Sequence, residues 1–257
     1  MITSSLTERA ERLRGLHRGP RPLVLPNAWD AASARAVAEA GFPAVASTSS
    51  GVCASLGWAD GEKIPADEMF AAVARMARVV DVPLTADIEG GYRLAPAELV
   101  ERLLAAGAVG CNLEDTDHTG AAVLREPAAQ ADYLRAVKAA ARTAGVDVVV
   151  NARIDVFLRQ VGEPADRLPM TLERARLYLQ AGADCIFPFG VRDEPTIAAL
   201  VQGIAAPVNV ALLPEAPSLA RLGELGVARV SYAGGVFRAV MAEHKRQLES
   251  IRERSEP

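Results

Sequence analysis

Eight short apolar runs recur along the chain, at 23–27, 44–47, 84–88, 110–114, 148–153, 185–188, 208–211 and 229–232. A stretch of helical periodicity follows each one, at about 30–40, 66–80, 96–106, 127–144, 170–181, 193–202, 217–225 and 235–252. Parallel strands can be joined only by a crossover, so strand-then-helix repeated in this way predicts βα units around a parallel sheet. Gly41, Gly107, Gly145, Gly182 and Gly226 stand where five of the helices should close, supplying the left-handed residue that ends a helix. Eight units predict an α/β fold of the (β/α)8 barrel type, and no Gly-x-Gly-x-x-Gly follows the first run to favour an open dinucleotide-binding sheet. Residues 1–20 predict an additional N-terminal helix, the tail beyond about 250 is expected to fray, and 1–257 reads as one domain.

Three connections are long: 49–65, 115–126 and 155–169. All three follow strands, so they fall at the C-terminal face, where barrels of this kind build their sites. Residues two apart on a strand share a side. Asp87 with Glu89, Asn112 with Glu114, and Asn151 with Arg153 and Asp155 are therefore expected to converge, with Asp60 and Asn209 able to join them. Carboxylates without a histidine or thiolate cluster suit a hard cation, and Asp87, Glu89 and Glu114 are read as a Mg2+ (or Mn2+) site, partly through water. The competing reading is that such acids cap helices or pair with arginines. Arg153 offers a planar fork to a substrate carboxylate, or else pairs with Glu114 or Asp155. Thr48, Ser49 and Ser50 could present backbone amides to an oxyanion, or form a plain polar turn. His118 lies on the same face, either solvated or catalytic. The segment 231–235 could hold a phosphate or simply pack small residues at the start of the last helix. Asp30 reads as a helix N-cap, and Cys53, Cys111 and Cys185 as core.

Composition closes off other chemistries. Of three lysines, Lys63, Lys138 and Lys245, none sits at a strand end, which disfavours imine formation. Three dispersed cysteines make neither a disulfide framework nor a zinc site. A net charge of −4 with 5% aromatics gives nucleic acid no track to follow. No apolar run approaches the roughly 18 residues of a membrane span, and the first residues lack a signal peptide's apolar stretch, so the expected location is the cytoplasm.

Five motifs carry a resemblance: 26–34 (Pro-Asn-Ala-Trp-Asp-Ala-Ala-Ser-Ala), Ser55-Leu56-Gly57 with Asp60, Ala86-Asp87-Ile88-Glu89-Gly90-Gly91-Tyr92, Asn112-Leu113-Glu114-Asp115, and Asn151-Ala152-Arg153 with Asp155. In this order they resemble the isocitrate lyase/phosphoenolpyruvate mutase superfamily, from about residue 20 to 245. The resemblance implies a barrel that handles a small 2-oxo acid or its enolate with magnesium, breaking or making a C–C or P–C bond. It also implies a dimer or tetramer in which the last helix, 235–252, is exchanged between subunits. By motif, Asp87, Glu89 and Glu114 match the metal-site acids, Arg153 the substrate-binding arginine, Asp60 the loop aspartate, and Ser49-Ser50 the oxyanion-holding amides. The chain departs from the pattern where the isocitrate lyases carry Lys-x-Cys-Gly-His, since 117–123 here reads Asp-His-Thr-Gly-Ala-Ala-Val, and Phe189 follows Phe187-Pro188 where those lyases have glutamate. Glu89 also replaces the usual aspartate. The resulting expectation is C–C cleavage of a 2-oxo carboxylate such as oxaloacetate, with Asp60 or His118 moving a proton. The alternatives are phosphonopyruvate hydrolase or mutase chemistry, and a binding barrel with little turnover.

Overall fold

The structure is a computed structural model and describes residues 5–120 and 123–255. Residues 1–4 of the expected N-terminal helix and residues 121–122 of the loop 115–126 lie outside the described residues. The elements run α1 (Leu6–Leu16), β1 (Leu23–Leu25), β2 (Asn27–Ala28), α2 (Ala31–Glu39), β3 (Val45–Ser47), α3 (Ser49–Ser55), α4 (Ala66–Ala77), β4 (Leu84–Asp87), α5 (Pro96–Ala105) and β5 (Gly110–Glu114). They continue α6 (Pro127–Thr143), β6 (Val149–Ile154), α7 (Pro164–Gln180), β7 (Cys185–Pro188), α8 (Glu194–Gly203), β8 (Asn209–Ala211), α9 (Leu219–Glu224), β9 (Arg229–Ser231) and α10 (Gly235–Ser255).

All named strand pairs are parallel, β2 to β7 in one sheet and β1-β9-β8 in another. A parallel bridge between Ile186 and Val208 joins β7 to β8, and β1 and β2 are the two halves of the first predicted run, so the ring closes as a barrel. Pro26 splits that run because it has no N–H for the ladder. Asn27 repairs the seam: its Nδ2 donates to Ser47 O at 2.7 Å and its Oδ1 accepts from Tyr232 N at 2.8 Å, tying β2 to both flanks. The five predicted helix-ending glycines all have positive φ, between 78° and 101°.

Three boundaries differ from the sequence expectation. The connection 49–65 opens with a helix, α3, whose Ser49, Gly51, Val52 and Cys53 are buried; tertiary packing overrides its weak helix propensity. The connection after β6 is shorter than expected because α7 starts at Pro164 and carries Pro169 in its interior, with Thr171, Arg174, Ala175 and Tyr178 buried beyond it. The last helix continues to Ser255 instead of fraying near 250.

At the N-terminal end of the barrel, α1 lays Leu13 against Gly110; a Cβ there would stand 2.7 Å from Leu13 Cδ2. Arg14 pairs with Asp147 and Asp184, and His17 is buried beside them, its Nδ1 2.8 Å from Leu13 O. Burial, with Arg229 next in effect, lowers the His17 pKa to about 4. The unfolded chain therefore binds a proton between pH 6.5 and 4 that the folded chain refuses, and stability falls as pH drops through that window. His17→Gln should remove this acid-sensitive component. The stability gap between wild type and variant is expected to shift by about 3 kcal/mol across that range in urea titrations, and a pH-independent gap would refute a buried neutral imidazole.

Candidate active site

The C-terminal mouth of the barrel opens on a cavity of about 460 Å3, and the long connections supply much of its wall. Nine of the residues singled out in the sequence line it: Thr48, Ser49, Ser50, Asp60, Asp87, Glu89, Glu114, His118 and Arg153. Asn112, Asn151, Asp155 and Asn209 do not line it; Asn209 is fully buried in β8, where its Oδ1 accepts from Ser231 Oγ at 3.3 Å and its Nδ2 has no partner among the described residues. Arginines 159 and 238 also line the cavity, and sequence reasoning assigned neither a role.

Strand register explains the convergence. Asp87 pairs with Asn112 across β4 and β5, and Glu114 with Arg153 across β5 and β6. Asp87 is buried, its Oδ2 accepting from Ser49 N at 3.1 Å, while its Oδ1 is buried with no partner among the described residues. That bond corrects the expected use of the Ser49 amide, which orients a carboxylate here. The Ser50 amide remains as a first-turn donor of α3.

Glu89 leaves the strand with φ at 52° and turns back into the loop after α3. Its Oε2 accepts from Gly61 N at 2.7 Å and Glu62 N at 2.6 Å, and its Oε1 from Tyr92 Oη at 2.8 Å. The carboxylate therefore clamps the loop that carries Asp60. Burial, then the charge of Asp60, push the Glu89 pKa up to about 7. Burial followed by Asp87 also raises that of Asp60, which stands at the exposed rim.

Glu114 joins two partners. Its Oε1 lies 2.7 Å from His118 Nε2, and its Oε2 lies 2.7 Å from Arg153 Nη1. His118 is thus not solvated: its side chain is 8% exposed and fixed over the acids. Burial works against its charge, but the bond to Glu114 and the fields of Glu114, Glu62 and Glu89 raise its pKa overall. Gly90 leaves room for this arrangement, since a Cβ there would meet Arg125 Nη2 at 2.9 Å and His118 Cδ2 at 3.2 Å. Arg153 also binds Asp155 through Nε at 2.6 Å and Nη2 at 3.0 Å, with its guanidinium carbon 4.3 Å from the Phe189 ring centroid. Both pairings weighed for it in the sequence therefore occur, and it lines the cavity as well.

Ligand atoms of Glu89, Glu114 and His118 lie within 4.8 Å of one another, as do those of Cys53, Asp60 and Glu89. Asp87, whose Oδ1 has no partner among the described residues, lines the same cavity, and an acidic donor set of this kind fits a hard divalent cation. The expected set of Asp87, Glu89 and Glu114 is thus gathered around one cavity, with Glu89 already accepting three hydrogen bonds.

The model of the family described as phosphoenolpyruvate phosphomutase matches residues 13–252. The chain belongs to that family. It therefore lies in the superfamily that joins phosphoenolpyruvate mutase with isocitrate lyase, whose members are lyases and mutases, and it is an enzyme of that class. A crystal structure of a Burkholderia cenocepacia J2315 protein superposes with a TM-score of 0.88 at 40% identity, over 94% of this chain and 99% of the other. An uncharacterised family relative from Mycobacterium tuberculosis (strain ATCC 25618 / H37Rv) is 36% identical over 88% of this chain and 85% of its own. An oxaloacetate decarboxylase from Rhodopseudomonas palustris (strain BisB5) is 30% identical over 76% of this chain and 68% of its own. No helix among the described residues is long and apolar enough to cross a membrane.

Proposed function

We propose that the chain is a cytoplasmic Mg2+- or Mn2+-dependent lyase that cleaves a C–C bond of a small 2-oxo dicarboxylate, oxaloacetate or a close analogue. The observation that carries this reading is the buried, unpartnered Oδ1 of Asp87 in the cavity that Glu89, Glu114 and His118 also line. Asp87 would hold the cation, with Glu89 and Glu114 within reach through water. When bound, the cation supplies a Lewis acid for the charge that develops on the 2-oxo oxygen.

The chain's own groups do the rest. The Ser50 amide and the Arg153 guanidinium add positive potential around the substrate's inner carboxylate and 2-oxo oxygen. As the C3–C4 bond breaks, its electron pair moves to C3 and is delocalised onto that oxygen, and carbon dioxide leaves. His118, held by Glu114, returns a proton to C3, and Asp60 at the rim is the second candidate for that transfer. The C–C reading also draws support from the similarity to an oxaloacetate decarboxylase. The family description keeps P–C chemistry as the rival.

We also propose that the protein is a homo-oligomer. The 21 residues of α10 bury no side chain, and Val240, Met241, Leu248 and Ile251 are 45–52% exposed, an unpaired apolar face suited to a second copy. One preparation tests both proposals. Release of pyruvate, carbon dioxide and phosphate is measured from oxaloacetate, 2-methylisocitrate and phosphonopyruvate, each with Mg2+ and with EDTA, and light scattering gives the mass. Enzyme-dependent pyruvate from oxaloacetate that EDTA abolishes is the expected result, from a dimer or tetramer. Phosphate from phosphonopyruvate would move the site to P–C chemistry, and ligand binding without turnover would make it a binding barrel. A monomeric mass would refute the oligomer.

A further inference from the structure

Arg153 and Arg174 both reach into the protein toward carboxylates, Glu114 and Asp155 for the first and Asp115 for the second. Arg229 does not. It is 1% exposed, and its Nε and Nη1 are buried with no partner among the described residues. Its Nη2 makes a long bond, 3.4 Å, to the amide oxygen Oδ1 of Asn112. Among those residues, then, no carboxylate accepts from this guanidinium.

The bond to Asn112 spans the barrel. Strands β9 and β5 are not neighbours in the ring, so the arginine crosses the interior. Asn151 Nδ2 donates to the same Asn112 Oδ1 at 2.8 Å. Asn209 pairs with Arg229 in register, and its Oδ1 accepts from Ser231, which shares the side of β9 that Arg229 occupies. One interior layer therefore gathers a guanidinium and three buried asparagines. Donors exceed acceptors in it: Arg229 Nε, Arg229 Nη1 and Asn209 Nδ2 are without partners among the described residues, against Asn151 Oδ1.

The ionisable groups around Arg229 do not compensate its charge. Burial pushes the Cys111 and Cys185 thiols up to about 12, so both stay neutral. His17, lowered to about 4 by burial and then by Arg229, is neutral too. Asp87 reaches Arg229 by its field without a hydrogen bond between them. A guanidinium keeps its proton at any accessible pH, and a buried charge is costly unless something pairs with it.

We propose that Arg229 and Asn209 hold a small monovalent anion of the halide class, chloride in solution, inside the barrel and apart from the catalytic cavity. Neither residue lines that cavity, so the site stands whatever reaction the enzyme catalyses. Its donors are all N–H groups, which suit an anion that imposes no geometry, and a close-packed interior excludes large oxyanions. Water could meet the same donors but would leave the charge uncompensated.

Melting in chloride against gluconate at constant ionic strength tests the site, because an anion bound only by the folded chain stabilises it in proportion to the logarithm of its concentration. Gluconate is too large for the interior. Above half-saturation, wild type is expected to gain roughly 3–6 °C for each ten-fold rise in chloride. Crystals grown in sodium bromide are expected to show an anomalous peak beside the Arg229 guanidinium. Asn209→Asp sets a carboxylate next to Arg229, and should melt independently of chloride and hold no bromide. Arg229→Met replaces the charge with an apolar chain, and should also lose the chloride response.

Equal melting of wild type in chloride and gluconate, with no bromide at Arg229, overturns the site and leaves water as the occupant. A chloride response that survives in both variants places the anion elsewhere and overturns it as well. Should a variant fail to fold, the wild-type melting and bromide comparison still decides.

Discussion

Asp87→Asn is expected to fold as wild type does yet lose Mg2+-dependent turnover by at least about a thousand-fold. Asparagine keeps an oxygen for the Ser49 N–H, now 3.1 Å from Asp87 Oδ2, so the local hydrogen bond survives. What disappears is the negative charge at Oδ1, which is buried and has no partner among the described residues. An amide in its place presents a donor to a cation. Changes in groups that merely support a metal ligand cost about 10–100-fold in affinity or activity, and losing the ligand itself should cost more. Titration of Mn2+ followed by electron paramagnetic resonance gives a readout independent of catalysis. Weakened Mn2+ binding together with lost turnover is the expected pair. Normal Mn2+ affinity with full activity would remove Asp87 from the metal site.

Why Asp87 was legible in the sequence while other parts of the site were not is a matter of range. The eight strands announce themselves through local periodicity, and alternation along a strand places Asp87, Glu114 and Arg153 on the cavity side without any knowledge of their neighbours. Asn209 obeys the same alternation and still misses the cavity, because alternation fixes a side and not a depth along the barrel axis. Its Oδ1 accepts from Ser231 Oγ in the interior, and its Nδ2 is buried with no partner among the described residues.

The helices α3 and α7 escape a local reading for a different reason. Ser-Ser-Gly and an internal proline are local signals of a turn, and only contacts from distant segments overrule them. At Gly51, for instance, a Cβ would meet Thr48 Cγ2 at 2.8 Å and Trp29 Cβ at 3.0 Å. Arg238 escapes a local reading as well, because its place at the cavity depends on a gap at Gly234 facing Ser50, far away in sequence. The signal that could have found it was present: an arginine in the first turn after a glycine pair at the end of the last strand. His118 shows the limit of base expectations, since a loop histidine is usually solvated and this one is held by an acid four residues earlier.

Arg153→Met should be the most destabilising single change at the site. Its guanidinium bridges Glu114 and Asp155, whose side chains are 4% and 0% exposed, and removal leaves both carboxylates buried without that cation. Burial works against the charge of Arg153 itself, and Glu114 and Asp155 more than restore it, so its pKa rises. The group is therefore charged throughout the accessible pH range, and its partners depend on it.

The damage would not stop at these two acids. Asp155 N also donates to Asp115 Oδ1 at 2.8 Å, and Asp115, buried with Arg174 and Tyr178, has a pKa raised to about 6 chiefly by burial. Breaking one member of a buried pair costs about 3–5 kcal/mol. For a chain of this size that corresponds to a fall in melting temperature of roughly 6–20 °C.

Arg153→Lys separates structure from chemistry. A lysine restores one positive charge but cannot span Glu114 and Asp155 with a planar fork. It is expected to recover part of the lost melting temperature and little of the turnover. If the lysine variant recovers both, charge alone accounts for Arg153 and its fork geometry is irrelevant; if Arg153→Met melts as wild type does, the acids beneath the cavity are held by something other than this guanidinium.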